Sequence, residues 1–187
     1  YFGRNPVAQI DYYDILLKNT QFVGNWFLNA KIIEGLSFRT EFGVNLLNND
    51  DFHYKNTSAD PTGRAVSGTL IGAKTSWDWK NILNYNRRFG NNHNLDVVLA
   101  TEAQKTTDKE NAILGDGYFN SEMRKPIDAE NNKIMYSENG YSFLSYIGRI
   151  NYDLMGRYLL SVSVRMDGSS RFGPENRWGF FPAASLG

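Results

Sequence analysis

Apolar and polar side chains alternate with a period of two along most of the chain. From Leu36 to Leu46 the even positions read Leu36, Phe38, Thr40, Phe42, Val44 and Leu46, and the odd ones Ser37, Arg39, Glu41, Gly43 and Asn45. Successive side chains of a strand point to opposite faces, so this run predicts a strand with one apolar and one polar side. Phe22, Gly24, Trp26, Leu28, Ala30 and Ile32 repeat the pattern against Asn25, Asn29 and Lys31, with Val23 and Phe27 as exceptions. Only Glu34-Gly35 separates the two runs, which predicts a tight hairpin.

Two more hairpins follow. Thr75, Trp77, Trp79, Leu83, Tyr85 and Phe89 share a face opposite Asp78, Lys80, Asn84 and Arg88. After Gly90-Asn91-Asn92-His93, the residues Leu95, Val97 and Leu99 oppose Asp96 and Glu102. Asn81 and Arg87 fall on the apolar side; the stem of Arg87 is long enough to snorkel to a polar boundary. In the third hairpin Leu144, Tyr146, Ile150, Tyr152 and Leu154 oppose Ser145, Arg149, Asn151 and Asp153. Past the turn at Met155-Gly156, Tyr158, Leu160, Val162, Val164 and Met166 oppose Arg157, Ser161, Ser163 and Arg165. A seventh run begins near Trp178. The pattern predicts an all-β, antiparallel fold.

The connections alternate in length. The turns at Glu34, Gly90 and Met155 are short, whereas long polar stretches, Asn48 to Lys74, Ala103 to Gly140 and Asp167 to Arg177, lie between the hairpins. Short turns on one rim and long loops on the other are expected of outer-membrane barrels, and long structureless loops are uncommon in compact soluble domains. The runs are about 10 to 13 residues long, against a usual 5 to 6 in globular sheets and about 9 to 11 for a tilted strand crossing hydrocarbon. A soluble β-sandwich or lipocalin-like barrel alternates in the same way, so the period alone does not separate the two; strand length and loop asymmetry favour the membrane. A complete eight-stranded barrel fits less well, because the runs number about seven and barrels of this kind use an even count.

Composition agrees. Twenty Lys+Arg against 20 Asp+Glu leave a net charge of +0, without the basic excess that nucleic-acid binding needs. There is no cysteine, hence neither a disulfide framework nor a thiolate metal site. A mean hydropathy of -0.48 is compatible with a barrel, where lipid-facing apolar residues cancel against inward polar ones. No apolar run approaches the roughly 20 residues of a spanning helix, so a membrane would be crossed by strands. No charged-then-apolar leader opens the chain at Tyr1, and a signal peptide is expected to be missing or removed. Aromatics make up 14%. Tyr85, Phe89, Tyr152 and Tyr158, near the short turns, are expected at the periplasmic boundary, and Trp77 and Trp79 at the extracellular one. Arg39, Glu41, Asp78, Lys80, Asp96, Arg149, Arg157 and Arg165 are expected to face an enclosed, hydrated lumen.

Candidate chemistry is thin. Asp167, Ser169 and Ser170 lie together, but neither histidine, His53 or His93, is near them in sequence, so a Ser-His-Asp site is not expected; Asp-Gly should start a turn in which the Ser hydroxyls bond local backbone and Arg171 pairs with Asp167. His53 and His93 are expected at opposite ends of strands and not at one metal. Asp128, Glu130, Asn131 and Asn132 lack the glycine spacing of a calcium loop, and Gly115-Asp116-Gly117 lacks the third glycine and the helix of a dinucleotide site. No catalytic, cofactor or metal residue is expected, and the chain is read as a non-enzyme.

The segment from Tyr158 to Gly187 closely resembles a signature of the SusC/RagA family, in which a strand ends in Arg-x-Asp-Gly-Ser-Ser-Arg-Phe-Gly and an Asn-Arg-Trp-Gly-x-Phe-Pro run opens the next. The matching residues are Arg165, Asp167, Gly168, Ser169, Ser170, Arg171, Phe172, Gly173, Asn176, Arg177, Trp178, Gly179, Phe181 and Pro182. Asn5-Pro6-Val7-Ala8 and Leu36-Ser-Phe-Arg-Thr-Glu-Phe-Gly43 are weaker echoes. The resemblance implies TonB-dependent import of oligosaccharides or peptides across the bacterial outer membrane, through a plugged barrel of about 22 strands paired with a SusD-like surface lipoprotein. Residues 1–187 would then be a fragment of the barrel domain, without the plug, the TonB box or the carboxy-terminal strand; the substrate-binding residues are unknown. The alternatives are a docking subunit of a larger outer-membrane complex, with the same fold, and a soluble β-sandwich binding module.

Overall fold

The computed structural model describes residues 13–57, 64–119 and 122–187. Its strands are β1 (Tyr13–Ile33), β2 (Leu36–Lys55), β3 (Val66–Phe89), β4 (His93–Asp116), β5 (Asn131–Leu154), β6 (Tyr158–Ser169) and β7 (Trp178–Leu186). They form one sheet in which hydrogen-bonded neighbours follow chain order from β1 to β7. All seven expected strands are present. The echo at Asn5-Pro6-Val7-Ala8 lies outside the described residues.

The first five strands are about twice the expected length, at 21, 20, 24, 24 and 24 residues. Most of what reads as loop is strand. Ala103 to Gly140 shrinks to the stretch between β4 and β5, whose described residues include a 3-10 turn at Pro126–Asp128. Asp167 to Arg177 shrinks to residues 170–177, with a 3-10 turn at Pro174–Asn176. Between Asn48 and Lys74, the described residues outside a strand are 56, 57, 64 and 65. The physical reason is local. Thr106-Thr107-Asp108-Lys109-Glu110-Asn111 is polar on both faces, so the apolar period vanishes while the backbone ladder, which needs no alternation, continues.

Where alternation is strong, it sets the register. Across β5 and β6, Tyr146 pairs with Met166, Ile150 with Val162 and Tyr152 with Leu160; between them Ser145 pairs with Asp167, Arg149 with Ser163 and Asn151 with Ser161. Across β6 and β7, Val162 pairs with Ala184 and Met166 with Phe180. A slip of one residue would turn every apolar side chain to the polar face.

The described residues fall into two compact units, one within residues 1–22, 46–75 and 107–139, the other made of Val23–Asn45, Ser76–Thr106 and Gly140–Gly187. In the second, Phe42, Leu160 and Val162 are 42%, 38% and 44% exposed. The closed apolar core that a soluble β-sandwich would build around them is not formed by the described residues. A contiguous apolar face of this kind calls for a non-aqueous neighbour. Among the described residues no helix is long and apolar enough to cross a membrane.

The short turns rest on left-handed backbone. Met155 and Gly156 take φ of 59° and 64°, and the Arg157 N–H bonds the Leu154 carbonyl at 3.1 Å, the type I′ geometry that suits twisted hairpins. The Gly156 N–H also donates to Asp153 Oδ1 at 2.7 Å. Gly35, at φ 80°, is more constrained: its carbonyl accepts the Asn86 N–H at 2.7 Å, and a Cβ there would run into the Asn86 carbonyl oxygen. Gly90, at φ 59°, has open space around it. Gly35→Ala is therefore expected to cut the yield of folded, heat-modifiable protein sharply on gels. Gly90→Ala carries only the conformational penalty of about 1 kcal/mol and should fold nearly as well as the parent.

Candidate functional site

In the unit made of residues 23–45, 76–106 and 140–187, the polar side chains form a connected face that can be followed strand by strand. Arg39 bonds Glu41, reaches Asn29 Oδ1 at 3.3 Å and lies 4.6 Å over the Phe27 ring. Gly43 makes room for two oxygens: a Cβ there would sit 2.5 Å from Asp78 Oδ1 and 2.8 Å from Asn25 Oδ1. Lys80 pairs with Glu102 at 3.3 Å. Asp96 accepts from Asn151 Nδ2 at 3.1 Å, and Asn151 in turn accepts from Ser161 at 2.7 Å. Arg165 Nε donates to both oxygens of Asp167, at 2.8 and 2.7 Å, and its Nη2 reaches Ser145 at 3.5 Å. Arg39, Glu41, Asp78, Lys80, Asp96 and Arg165 thus belong to one polar face, and Arg149 joins them opposite Ser163. Arg157 lies in the turn between β5 and β6, where strand alternation assigns it no face. Pairs this exposed contribute about 0 to 1 kcal/mol each.

The motif at Arg165–Gly179 is built differently from the turn expected of it. Asp167, Gly168 and Ser169 are strand residues of β6, and the partner of Asp167 is Arg165, not Arg171. The reason is geometric: in a strand, residues two apart share a face, whereas Arg171 has passed the strand end and lies 4.1 Å over the Tyr141 ring. Ser169 Oγ does accept a local N–H, from Arg171 at 3.3 Å. Ser170 Oγ instead crosses to β5 and accepts the Ser142 N–H at 2.8 Å. The Ser169 N–H bonds the Arg177 carbonyl at 2.9 Å, and Arg177 Nε donates to the Phe172 carbonyl at 3.3 Å. Gly168 faces Trp178 in register, and a Cβ at Gly168 would lie 2.8 Å from the indole. That ring stacks on Tyr146 at 6.2 Å. The motif is a clasp that closes β6 onto β7.

The apolar face of the same unit carries a chain of rings, with Trp26 on Phe42 at 6.2 Å and Phe42 on Trp77 at 6.4 Å. It also carries a polar cluster that alternation flags only as an irregularity at Asn81. Thr40 donates to Asn81 Oδ1 at 2.9 Å, Trp79 Nε1 donates to Thr40 at 2.9 Å, and Asn81 Nδ2 points to Thr101 Oγ1 at 3.5 Å. His93 Nδ1 meets the Tyr152 hydroxyl at 2.6 Å.

The other unit holds a small buried cluster. Tyr54 and Ser67 are 3% and 2% exposed, and Tyr118 meets Tyr54 edge-on at 6.0 Å and bonds Ser67. Arg124 lies 5.4 Å over the Tyr54 ring and reaches Asp14 at 3.4 Å. Gly115 leaves room for the 3-10 turn, since a Cβ there would be 2.7 Å from the Pro126 carbonyl oxygen. His53 lies against Gly68. Together with Leu114, Asp116 and Lys133 it lines an open cavity of about 370 Å³. Alternation gives no hint of this cluster, because its partners come from a connection.

No family model matches the chain. TonB-dependent receptor P39 of Formosa agariphila is 29% identical over 198 residues, covering 100% of the chain and 18% of the receptor. TonB-dependent receptor SusC of Bacteroides thetaiotaomicron is 42% identical over 69 residues, 37% of the chain and 7% of SusC. Among solved structures, the RagAB peptide transporter superposes with a TM-score of 0.85 at 20% identity, over 93% of the chain and 20% of the matched chain. In sequence the chain is similar to TonB-dependent receptors, SusC among them, and in fold to the RagAB peptide transporter. Its place is the bacterial outer membrane, and its sheet is part of a large antiparallel transmembrane β-barrel. It spans about a fifth of the length of the curated TonB-dependent receptors it matches.

One titration in this chain follows from the buried cluster. Burial raises the Tyr118 phenol above its ordinary value of 10.0; the Ser67 hydroxyl opposes this in part, and Tyr54, Asp128 and Asp116 reinforce it. A raised phenol keeps its proton in the folded state, so the stability it contributes is complete below the ordinary value and is lost as pH climbs through the folded one. An ultraviolet absorbance titration is expected to show a late-ionising tyrosine that is lost in Tyr118→Phe. Ser67→Ala, which removes the opposing hydroxyl, should move it later still.

Proposed function

We propose that the chain is barrel wall of an importer that takes oligosaccharides or peptides through the outer membrane, energised through TonB and served by a SusD-like surface lipoprotein. The observation that carries this reading is the two-sidedness of the strands: a connected, charged face opposite a continuous apolar one, on strands long enough to cross hydrocarbon and continue beyond it. All described strands are assigned to the wall and none to the plug. On this reading Arg39, Glu41, Asp78, Lys80, Asp96, Arg149 and Arg165 line the hydrated lumen, with Arg157 at its periplasmic rim. The apolar set meets lipid. Similarity to SusC and to the RagAB peptide transporter supports the role in uptake, and the wall does no chemistry on what passes.

Residues 1–187 contain no cysteine, so cysteines introduced there can be scored against the unsubstituted full-length protein. Single cysteines at Ser161, Val162, Ser163 and Val164 in the full-length protein, probed in outer membranes, should react alternately. Ser161→Cys and Ser163→Cys are expected to take a small water-soluble thiol reagent, and Val162→Cys and Val164→Cys only a lipid-soluble one. The reverse alternation would sink the lumen assignment. For the partner, affinity purification of the tagged full-length protein in mild detergent should recover a SusD-like lipoprotein in near-stoichiometric amount; recovery of the barrel alone counts against the paired importer.

A further inference from the structure

We propose that the apolar face of the unit formed by residues 23–45, 76–106 and 140–187 seats one acyl chain of a membrane lipid, with the carbonyl at the chain's root held by Asn81 and Thr101. The proposal rests on the reading above that this face meets lipid.

An open groove of about 530 Å³ runs over β2 to β7 and is bordered by Phe38, Leu83, Leu99, Tyr146, Val164 and Met166. Gly148 is among its lining residues, and its missing side chain helps to open it: a Cβ at Gly148 would already touch Val164 at 3.4 Å and Leu99 at 3.7 Å. The lining is otherwise aliphatic and aromatic, except for Asn81 and Thr101.

Those two residues have hydrogens to give. The Thr40 hydroxyl hydrogen goes to Asn81 Oδ1, and the Thr40 oxygen accepts from Trp79 Nε1. Asn81 spends one amide hydrogen on the long 3.5 Å contact to Thr101 Oγ1. The second amide hydrogen of Asn81 and the hydroxyl hydrogen of Thr101 are left without a side-chain partner among the described residues. Facing hydrocarbon, such donors are costly, because no water is there to accept them. The ester or amide carbonyl of a lipid has two lone pairs to accept both, and the chain that follows it fills an apolar groove. Lipid is the neighbour that a transmembrane barrel guarantees on this face, so the groove continues an interface already in place.

The test uses the full-length protein extracted in mild detergent, washed free of lipid and presented with phosphatidylethanolamine carrying brominated acyl chains. Native mass spectrometry counts retained lipids, and tryptophan quenching reports contact with bromine. The parent is expected to hold one lipid after the others are stripped. Gly148→Leu fills the floor and Val164→Phe the wall, and each should lose that lipid while keeping heat-modifiable mobility. Asn81→Leu combined with Thr101→Val should weaken retention about tenfold with the groove intact. If folded Gly148→Leu and Val164→Phe both hold the lipid as the parent does, the proposal is wrong. A photoreactive group at Leu99 that captures a second protein chain in the native membrane, and no lipid, also overturns it. Should brominated chains quench no tryptophan at all, the lipid-facing reading fails with it; quenching with unchanged retention removes the groove alone.

Discussion

A backbone inside hydrocarbon has no water to hydrogen-bond, and the rest of this structure depends on that constraint. Each strand must give its N–H and C=O groups to its neighbours, so the sheet can only be a continuous ladder whose two faces meet different media. Side chains then sort by parity alone. Val162 lies between Ile150 on β5 and Ala184 on β7, while Ser161, next to it in sequence, lies between Asn151 and Ser185. No packed interior is needed for this order, and among the described residues no large side chain is fully buried.

Glycines serve the same constraint in a less obvious way. A glycine in a strand bares the backbone on its face, and a neighbouring side chain lies across the gap. On the apolar face Trp26 covers Gly24 at 2.6 Å and Trp178 covers Gly168 at 2.8 Å, measured to the Cβ each glycine lacks; on the polar face Phe181 covers Gly179 at 2.8 Å. The ring replaces the missing side chain as packing and shields the ladder. In the recognition motif this explains why Gly168 and Trp178 occur together: they are cross-strand partners, and the glycine is where the indole rests.

Legibility in the sequence followed the same physics. Strands whose two faces meet different media, such as Leu36–Leu46 and Tyr158–Met166, announced themselves with nearly correct turns. Their continuations, such as Thr106–Asn111, meet polar surroundings on both faces, so nothing selects for alternation and the strand reads as loop. The motif was visible as residues but not as geometry. Its Asp-Gly pair has the composition of a turn, yet cross-strand pairing from Ser145 to Asp167 and from Gly168 to Trp178 holds it in the ladder, and tertiary pairing overrides local propensity. The cluster around Tyr54 was invisible, because it needs Tyr118 and Arg124 brought back by a connection whose path no periodicity encodes.

The two faces also differ in how cheaply they can be rearranged. On the apolar face a displaced ring leaves either a bare glycine or a gap in packing, and both are penalised wherever the surroundings are hydrocarbon. On the polar face the Lys80–Glu102 pair is more than a third exposed on both sides, and the Arg165 guanidinium, about half exposed, already divides its donors between Asp167 and Ser145. Such contacts are exchanged for contacts with water, or with a passing polar solute, at little net cost. A wall built this way stays rigid through its backbone and its apolar packing while its polar face remains free to trade partners. On the proposed reading that is the property an import path needs, since a lining that bound its own groups tightly would have none to offer to a moving plug or a solute.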